Sequence, residues 1–171
     1  TLDAMVEAGT PFSGVLYAGL MIGSKGPQLI EYNVRFGDPE CQVLMARITS
    51  DLVPLLLACA QGDVSGVAVE WSDRPAVGIV LAAKAYPASS EPTAIQSVPE
   101  DANGRIVFHA GTALENGGLM ATGGRVLTAV ASGSTFAEAQ DHAYELASKI
   151  EWAGGRYRRD IGSRAVERKA G

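Results

Sequence analysis

The densest run of chemistry-bearing side chains is Glu31-Tyr32-Asn33-Val34-Arg35-Phe36-Gly37-Asp38-Pro39-Glu40. On an extended strand, residues two apart share a face, about 6.5–7 Å from one to the next. Glu31, Asn33 and Arg35 then project together, and Tyr32, Val34 and Phe36 project the other way, into a core. A carboxylate, an amide oxygen and a guanidinium on one face suit a site for magnesium and phosphate. Magnesium wants hard oxygen ligands and takes one or two from protein, the rest from phosphates and water. Arg35 would stand beside the negative charge that develops during phosphoryl transfer. The same alternation also describes the solvated face of an antiparallel hairpin with an ordinary surface salt bridge. Spacing alone does not separate the two.

The elements that must position these residues are legible around them. Residues 12–22 read as a buried strand, because the apolar residues do not alternate cleanly. Ser24-Lys25-Gly26-Pro27 is a turn, and Gln28 to Phe36 a second strand that completes a hairpin. Asp38 before Pro39 suits an N-cap followed by proline at the first helical position, with a helix to Arg47. Ser50 can cap a further helix that Gly62 closes. Gly, Asp and Ser are frequent over residues 61–75, and a domain boundary is expected there. Strand-like runs follow at 76–85, 105–109 and 125–131. Thr135 and Glu138 form a capping box, and Phe136, Ala139, Ala143, Leu146, Ala147 and Ile150 then fall on one helical face. The expected class is α+β, with the second part a small α+β domain of several strands and one helix.

Composition bounds the function. Of 171 residues, 47% are hydrophobic and 19% charged, the balance of a globular chain. No apolar run reaches the length of a membrane span, and no signal-peptide pattern is present. The net charge of −5 argues against a general nucleic-acid binder. The charge is uneven, with Arg156, Arg158, Arg159, Arg164, Arg168 and Lys169 set against only Asp160 and Glu167 at the C-terminal end. That cluster is either a solvated tail or a patch facing an anionic substrate or an acidic neighbouring domain. Cys41 and Cys59 lack a CxxC partner and read as buried free thiols of a cytoplasmic protein. Gly117-Gly118 and Gly123-Gly124 lack the Gly-Lys-Ser/Thr of a P-loop and read as strand turns. His109 reads as a hydrogen-bonded strand histidine and His142 as a surface residue of the capping-box helix.

The segment Arg35-Phe36-Gly37-Asp38-Pro39-Glu40-Cys41-Gln42 resembles the signature of the phosphoribosylamine–glycine ligases, with Cys41 where Thr is more usual. Gly14-Val15-Leu16-Tyr17-Ala18-Gly19-Leu20-Met21 and Ser50-Asp51-Leu52-Val53 match the same family, as do Phe108-His109-Ala110-Gly111-Thr112, Gly123-Gly124-Arg125-Val126-Leu127 and Asp160-Ile161-Gly162 with Arg164-Ala165. The resemblance runs nearly end to end in the family's order, and several blocks in one order are far more specific than any one. It implies the last part of an ATP-grasp domain over residues 1–61, a linker over 62–75 and the family's C-terminal domain over 76–171.

The resemblance also implies an activity. The family joins glycine to 5-phosphoribosylamine in purine biosynthesis, with ATP as co-substrate and a glycyl phosphate intermediate. Glu31 and Asn33 resemble its two ligands for Mg2+ (or Mn2+), Arg35 would steady the transferred phosphoryl or acyl phosphate, and Asp38 could orient the amine. A whole family member starts with a phosphoribosylamine-binding domain and the first half of the ATP-grasp fold. The chain opens with Thr1 rather than Met, and it is expected to be an incomplete part, inactive alone. The rival expectations are another ATP-grasp purine ligase, which the Glu-x-Asn pair would equally suit, and a non-catalytic C-terminal binding module.

Overall fold

The computed structural model describes residues 1–167. The chain divides into two compact units: Thr1–Asp38 with Ile48–Trp71, and Pro39–Arg47 with the chain from Ser72 onward. The helix after Pro39 therefore belongs with the later part of the sequence. Within the second unit Ser72 N donates to Arg47 O and the Arg47 guanidinium donates to Ser72 O.

The first unit holds α1 (Leu2–Glu7), strands β1 (Tyr17–Gly23) and β2 (Gly26–Asn33), and helix α3 (Leu52–Gln61). The strands form a two-stranded antiparallel sheet, Tyr17 opposite Asn33 and Gly23 opposite Gly26. A bulge between Gly19 and Leu20 leaves Ile30 as an extra residue on β2. Tyr32 and Val34 were expected in a core and are instead exposed. The physical reason is that two strands alone cannot bury a face. Helix α3 starts at Asp51, whose carboxylate accepts from Val53 N, and not at Ser50, whose hydroxyl accepts from Glu70 N across the unit. Gly62 ends it in the left-handed conformation. Ser13 ties the segment before β1 to this helix by donating to Cys59 O.

The second unit holds α2 (Glu40–Arg47), β3 (Ala76–Ala83), β4 (Thr93–Ile95), β5 (Arg105–His109), β6 (Thr112–Glu115), β7 (Gly118–Ala121), β8 (Arg125–Ser132), α4 (Phe136–Ser148), β9 (Gly155–Arg156) and α5 (Ser163–Glu167). Its main sheet runs β5-β8-β3-β9 and a second runs β4-β7-β6, each antiparallel throughout. Burial alternates strictly along β3, so Val77, Ile79, Leu81 and Ala83 turn to one face. There they join Ala139, Ala143, Leu146 and Ala147 of α4 in one apolar core. The other face, at Gly78, meets α2, where an added Cβ would come within 2.9 Å of Val43 Cγ2. Phe136 departs from the expected stripe and is half exposed.

The four short strands and two short helices beyond those expected include two tight hairpins. Asn103-Gly104 and Asn116-Gly117 all take positive φ, closing the bridge Ala102 to Arg105 and the pair Glu115 to Gly118. The Thr135 half of the capping box forms as read, accepting from Glu138 N, while the Glu138 carboxylate reaches one residue further back and accepts from Ser134 N and Oγ. His142 is half-buried rather than on the surface, its Nδ1 3.1 Å from Ser132 O. Cys41 and Cys59 are free and partly buried. No described helix is long and apolar enough to cross a membrane.

Two predictions follow from this packing. Ile79 is fully buried at the centre of the core, so Ile79→Ala should cost about 2–5 kcal/mol in chemical denaturation. The Ser134 hydroxyl and amide hold the Glu138 carboxyl below the usual carboxylate range. Its stabilising effect is thus complete above the unfolded-state value and is lost as pH falls through the lower folded-state value. Melting temperature against pH should be flatter on the acid side for Glu138→Gln than for the parent.

Candidate active site

Glu31 and Asn33 lie on the last residues of β2, which ends at Asn33. Cross-strand pairing places Glu31 opposite Gly19 and Asn33 opposite Tyr17. The Glu31 stem lies over Gly19, where an added Cβ would make ordinary contact with Glu31 Cγ at 3.4 Å. Asn33 Nδ2 donates to Glu31 Oε1 at 2.9 Å. The two side chains are therefore side by side, as the two-residue spacing demands.

Arg35 is not on the strand, because the chain bends at Val34 and Arg35. Its guanidinium nonetheless returns to the same cluster: Nη2 donates to Asn33 Oδ1 at 3.4 Å and Nη1 to Phe36 O at 2.8 Å. Asp38 sits exposed in the turn that precedes α2, and the helix begins at Glu40, one residue after Pro39. The structure thus gathers Glu31, Asn33 and Arg35 into one hydrogen-bonded row and sets Asp38 in a separate turn.

The donor set fits a hard divalent cation of low protein ligand count. Glu31 is exposed and offers carboxylate oxygens, and Asn33 offers one amide oxygen. Among the described residues no group of three or more His, Cys, Asp or Glu could hold a metal ion. A cation here would draw most of its ligands from phosphate and water, which is the habit of magnesium.

The basic C-terminal cluster is held more firmly than a solvated tail would be. The Tyr144 hydroxyl donates to Arg158 O and accepts from Ile161 N, and Gln140 donates to Ile161 O. Arg158 makes a two-pronged pair with Asp160, which holds that carboxyl below its usual range and raises the guanidinium's own value. Arg159 lies over the Tyr157 ring, 4.8 Å from its centroid. Arg168 and Lys169 lie outside the described residues. His109 is exposed, its Nδ1 3.1 Å from Thr112 Oγ1.

Comparison with known proteins places this geometry in a class. The sequence model described as phosphoribosylglycinamide synthetase, ATP-grasp (A) domain, matches residues 1–41, the segment that carries Glu31, Asn33, Arg35 and Asp38. The model described as phosphoribosylglycinamide synthetase, C domain, matches residues 76–164. The chain belongs to the phosphoribosylglycinamide synthetase family. It is 54% identical over 170 residues to the phosphoribosylamine–glycine ligase of Rhizobium meliloti, covering 99% of this chain and 40% of that protein. It is 49% identical to the chloroplastic enzyme of the same name from Arabidopsis thaliana, of which it spans 33%. The crystal structure of phosphoribosylamine–glycine ligase from Thermotoga maritima superposes with a TM-score of 0.82 at 38% identity, covering 93% of this chain and 39% of that one. The chain therefore spans about two fifths of the length of the bacterial relatives.

Because the Glu31 side chain is exposed and its hydrogen bond stays on the surface, Glu31→Gln should change folding stability by no more than about 0.5 kcal/mol. Thermal unfolding of the variant beside the parent checks this.

Proposed function

We propose that this chain is the C-terminal part of a cytoplasmic phosphoribosylamine–glycine ligase of purine biosynthesis. The observation that carries the reading is the order of the two family matches along one chain, with the hydrogen-bonded Glu31–Asn33 pair inside the first. Residues 1–61 would end the ATP-grasp domain, 62–75 link, and 76–171 form the C-terminal domain. The remainder of the polypeptide would supply the phosphoribosylamine domain and the adenine pocket, so the chain alone is inactive.

In this reading a glycine carboxylate oxygen attacks the γ-phosphorus of ATP. The bond to the bridging oxygen breaks, giving glycyl phosphate and ADP. The amine of 5-phosphoribosylamine then attacks the carbonyl carbon. The carbon–oxygen bond to phosphate breaks and the nitrogen loses a proton, giving glycinamide ribonucleotide and phosphate. Glu31 and Asn33 would hold Mg2+ (or Mn2+), which when bound neutralises charge on the phosphates during transfer. Arg35, anchored on Asn33 and on Phe36 O, would set a fixed positive charge beside the transferred phosphoryl. Asp38 would accept a hydrogen bond from the amine substrate and orient it. An acyl phosphate hydrolyses readily, so catalysis rests on holding the amine close and keeping water out.

Glu31→Gln in the full-length enzyme removes charge without volume. Turnover should fall at least about a hundredfold, and added magnesium should not restore it. Near-normal rates at ordinary magnesium would overturn the metal assignment.

A further inference from the structure

Helix α4 carries polar side chains beside its apolar stripe. Gln140 and Tyr144 are four residues apart and stand one above the other on the helix surface. Both reach one stretch of chain, residues 157–161 between β9 and α5, which is neither helix nor strand. The Tyr144 hydroxyl accepts from Ile161 N at 2.8 Å and donates to Arg158 O at 3.1 Å. Gln140 Nε2 donates to Ile161 O at 2.7 Å. Two side chains thus serve three main-chain groups of an irregular segment. The Tyr144 and Tyr157 rings lie 6.2 Å apart, and both tyrosines and Ile161 pack against the apolar core.

The clamped stretch is also a wall. Tyr157, Arg158 and Ile161 line a cavity of roughly 570 Å³, and Pro39, Val80 and Arg156 line it with them. Pro39 directly follows Asp38 in the chain, and Asp38 is the residue to which the ligase reading gives the amine substrate. A wall built on irregular chain keeps its geometry through hydrogen bonds from the elements behind it. One phenolic oxygen both donates and accepts, so Tyr144 ties two residues at once. Phenylalanine there would keep the ring packing and take that partner from Ile161 N and Arg158 O.

We propose that Tyr144, assisted by Gln140, is a positioning residue for the ligation. Its hydroxyl fixes residues 157–161 as the wall of the cavity beside Pro39, and so sets how the amine substrate is seated. The proposal rests on the ligase reading. Tyr144 acts through the main chain of Arg158 and Ile161 and touches no reacting atom itself.

The test uses the full-length enzyme, with steady-state kinetics in each substrate and hydrogen–deuterium exchange over residues 157–161. In Tyr144→Phe, KM for phosphoribosylamine should rise about fivefold, the size of one lost neutral hydrogen bond, with kcat and KM for ATP within about twofold of the parent. Exchange over 157–161 should quicken in the same variant, because the Ile161 amide loses its acceptor. Gln140→Ala should move both readouts in the same direction. Glu145→Gln is the control: it lies next to Tyr144 on α4 but pairs with Arg105 and Lys149, and it should alter neither. Faster exchange with unchanged KM would make the clamp merely structural and overturn the proposal. Unchanged exchange, or KM values for all substrates rising together, would overturn it too. A parent enzyme that forms no glycinamide ribonucleotide would refute the ligase reading and the positioning role with it. An active parent whose KM is indifferent to Tyr144→Phe would refute the positioning role alone.

Discussion

Cross-strand register is the constraint on which the Glu31–Asn33 pair and the core of the C-terminal unit both depend. In an antiparallel pair a residue's facing is decided by its partner as much as by its own place in the chain. Glu31 and Asn33 share a face because both lie past the bulge on β2, where pairing runs residue by residue to Gly19, Ala18 and Tyr17. In the C-terminal unit Ala82 sits between Arg125 and Arg156 because a second irregularity, between Leu81 and Ala82, shifts the pairing of β3 with β8. A one-residue slip in either sheet would turn these side chains to the opposite face. The buried β3–β8 pair resists such a slip, since Ile79 and Val130 are fully enclosed by the core. The hairpin of the first unit has no comparable buried face, and its register rests on the turn at Gly23 to Gly26 and on main-chain pairing.

A carboxylate and an amide oxygen with one guanidinium suit charge that is moving, and they are hydrogen-bonded to one another and to a nearby carbonyl. Phosphoryl transfer is accelerated mainly by positioning and by electrostatic stabilisation.

Much of this was legible in the sequence, for local reasons. The Glu31–Asn33 pairing follows from spacing alone, and the helix at 136–148 from its capping box and stripe. The core expected behind Tyr32 and Val34 failed because alternation does not say whether anything covers the second face. Arg35 left the strand through a bend that its spacing does not encode. The short strands around 102–121 were hidden in what read as Gly-rich connections, although Asn103-Gly104 and Asn116-Gly117 carry the hairpin signal that would have revealed them. That Arg125 and Arg156 both pair with Ala82 was beyond sequence reading, since the three residues are distant in the chain. The C-terminal arginines read as either tail or patch; the structure instead sorts them individually, into cavity wall, ion pair and ring stack.

The central claim, that this chain completes an enzyme which activates glycine as an acyl phosphate, has a direct isotopic test. Glycine carrying ¹⁸O in its carboxylate is supplied to the full-length enzyme with ATP and 5-phosphoribosylamine, and the released phosphate is examined by mass spectrometry. The account predicts one ¹⁸O in the phosphate for each glycinamide ribonucleotide formed, because the attacking carboxylate oxygen leaves with the phosphoryl group. Product formed with unlabelled phosphate would contradict it.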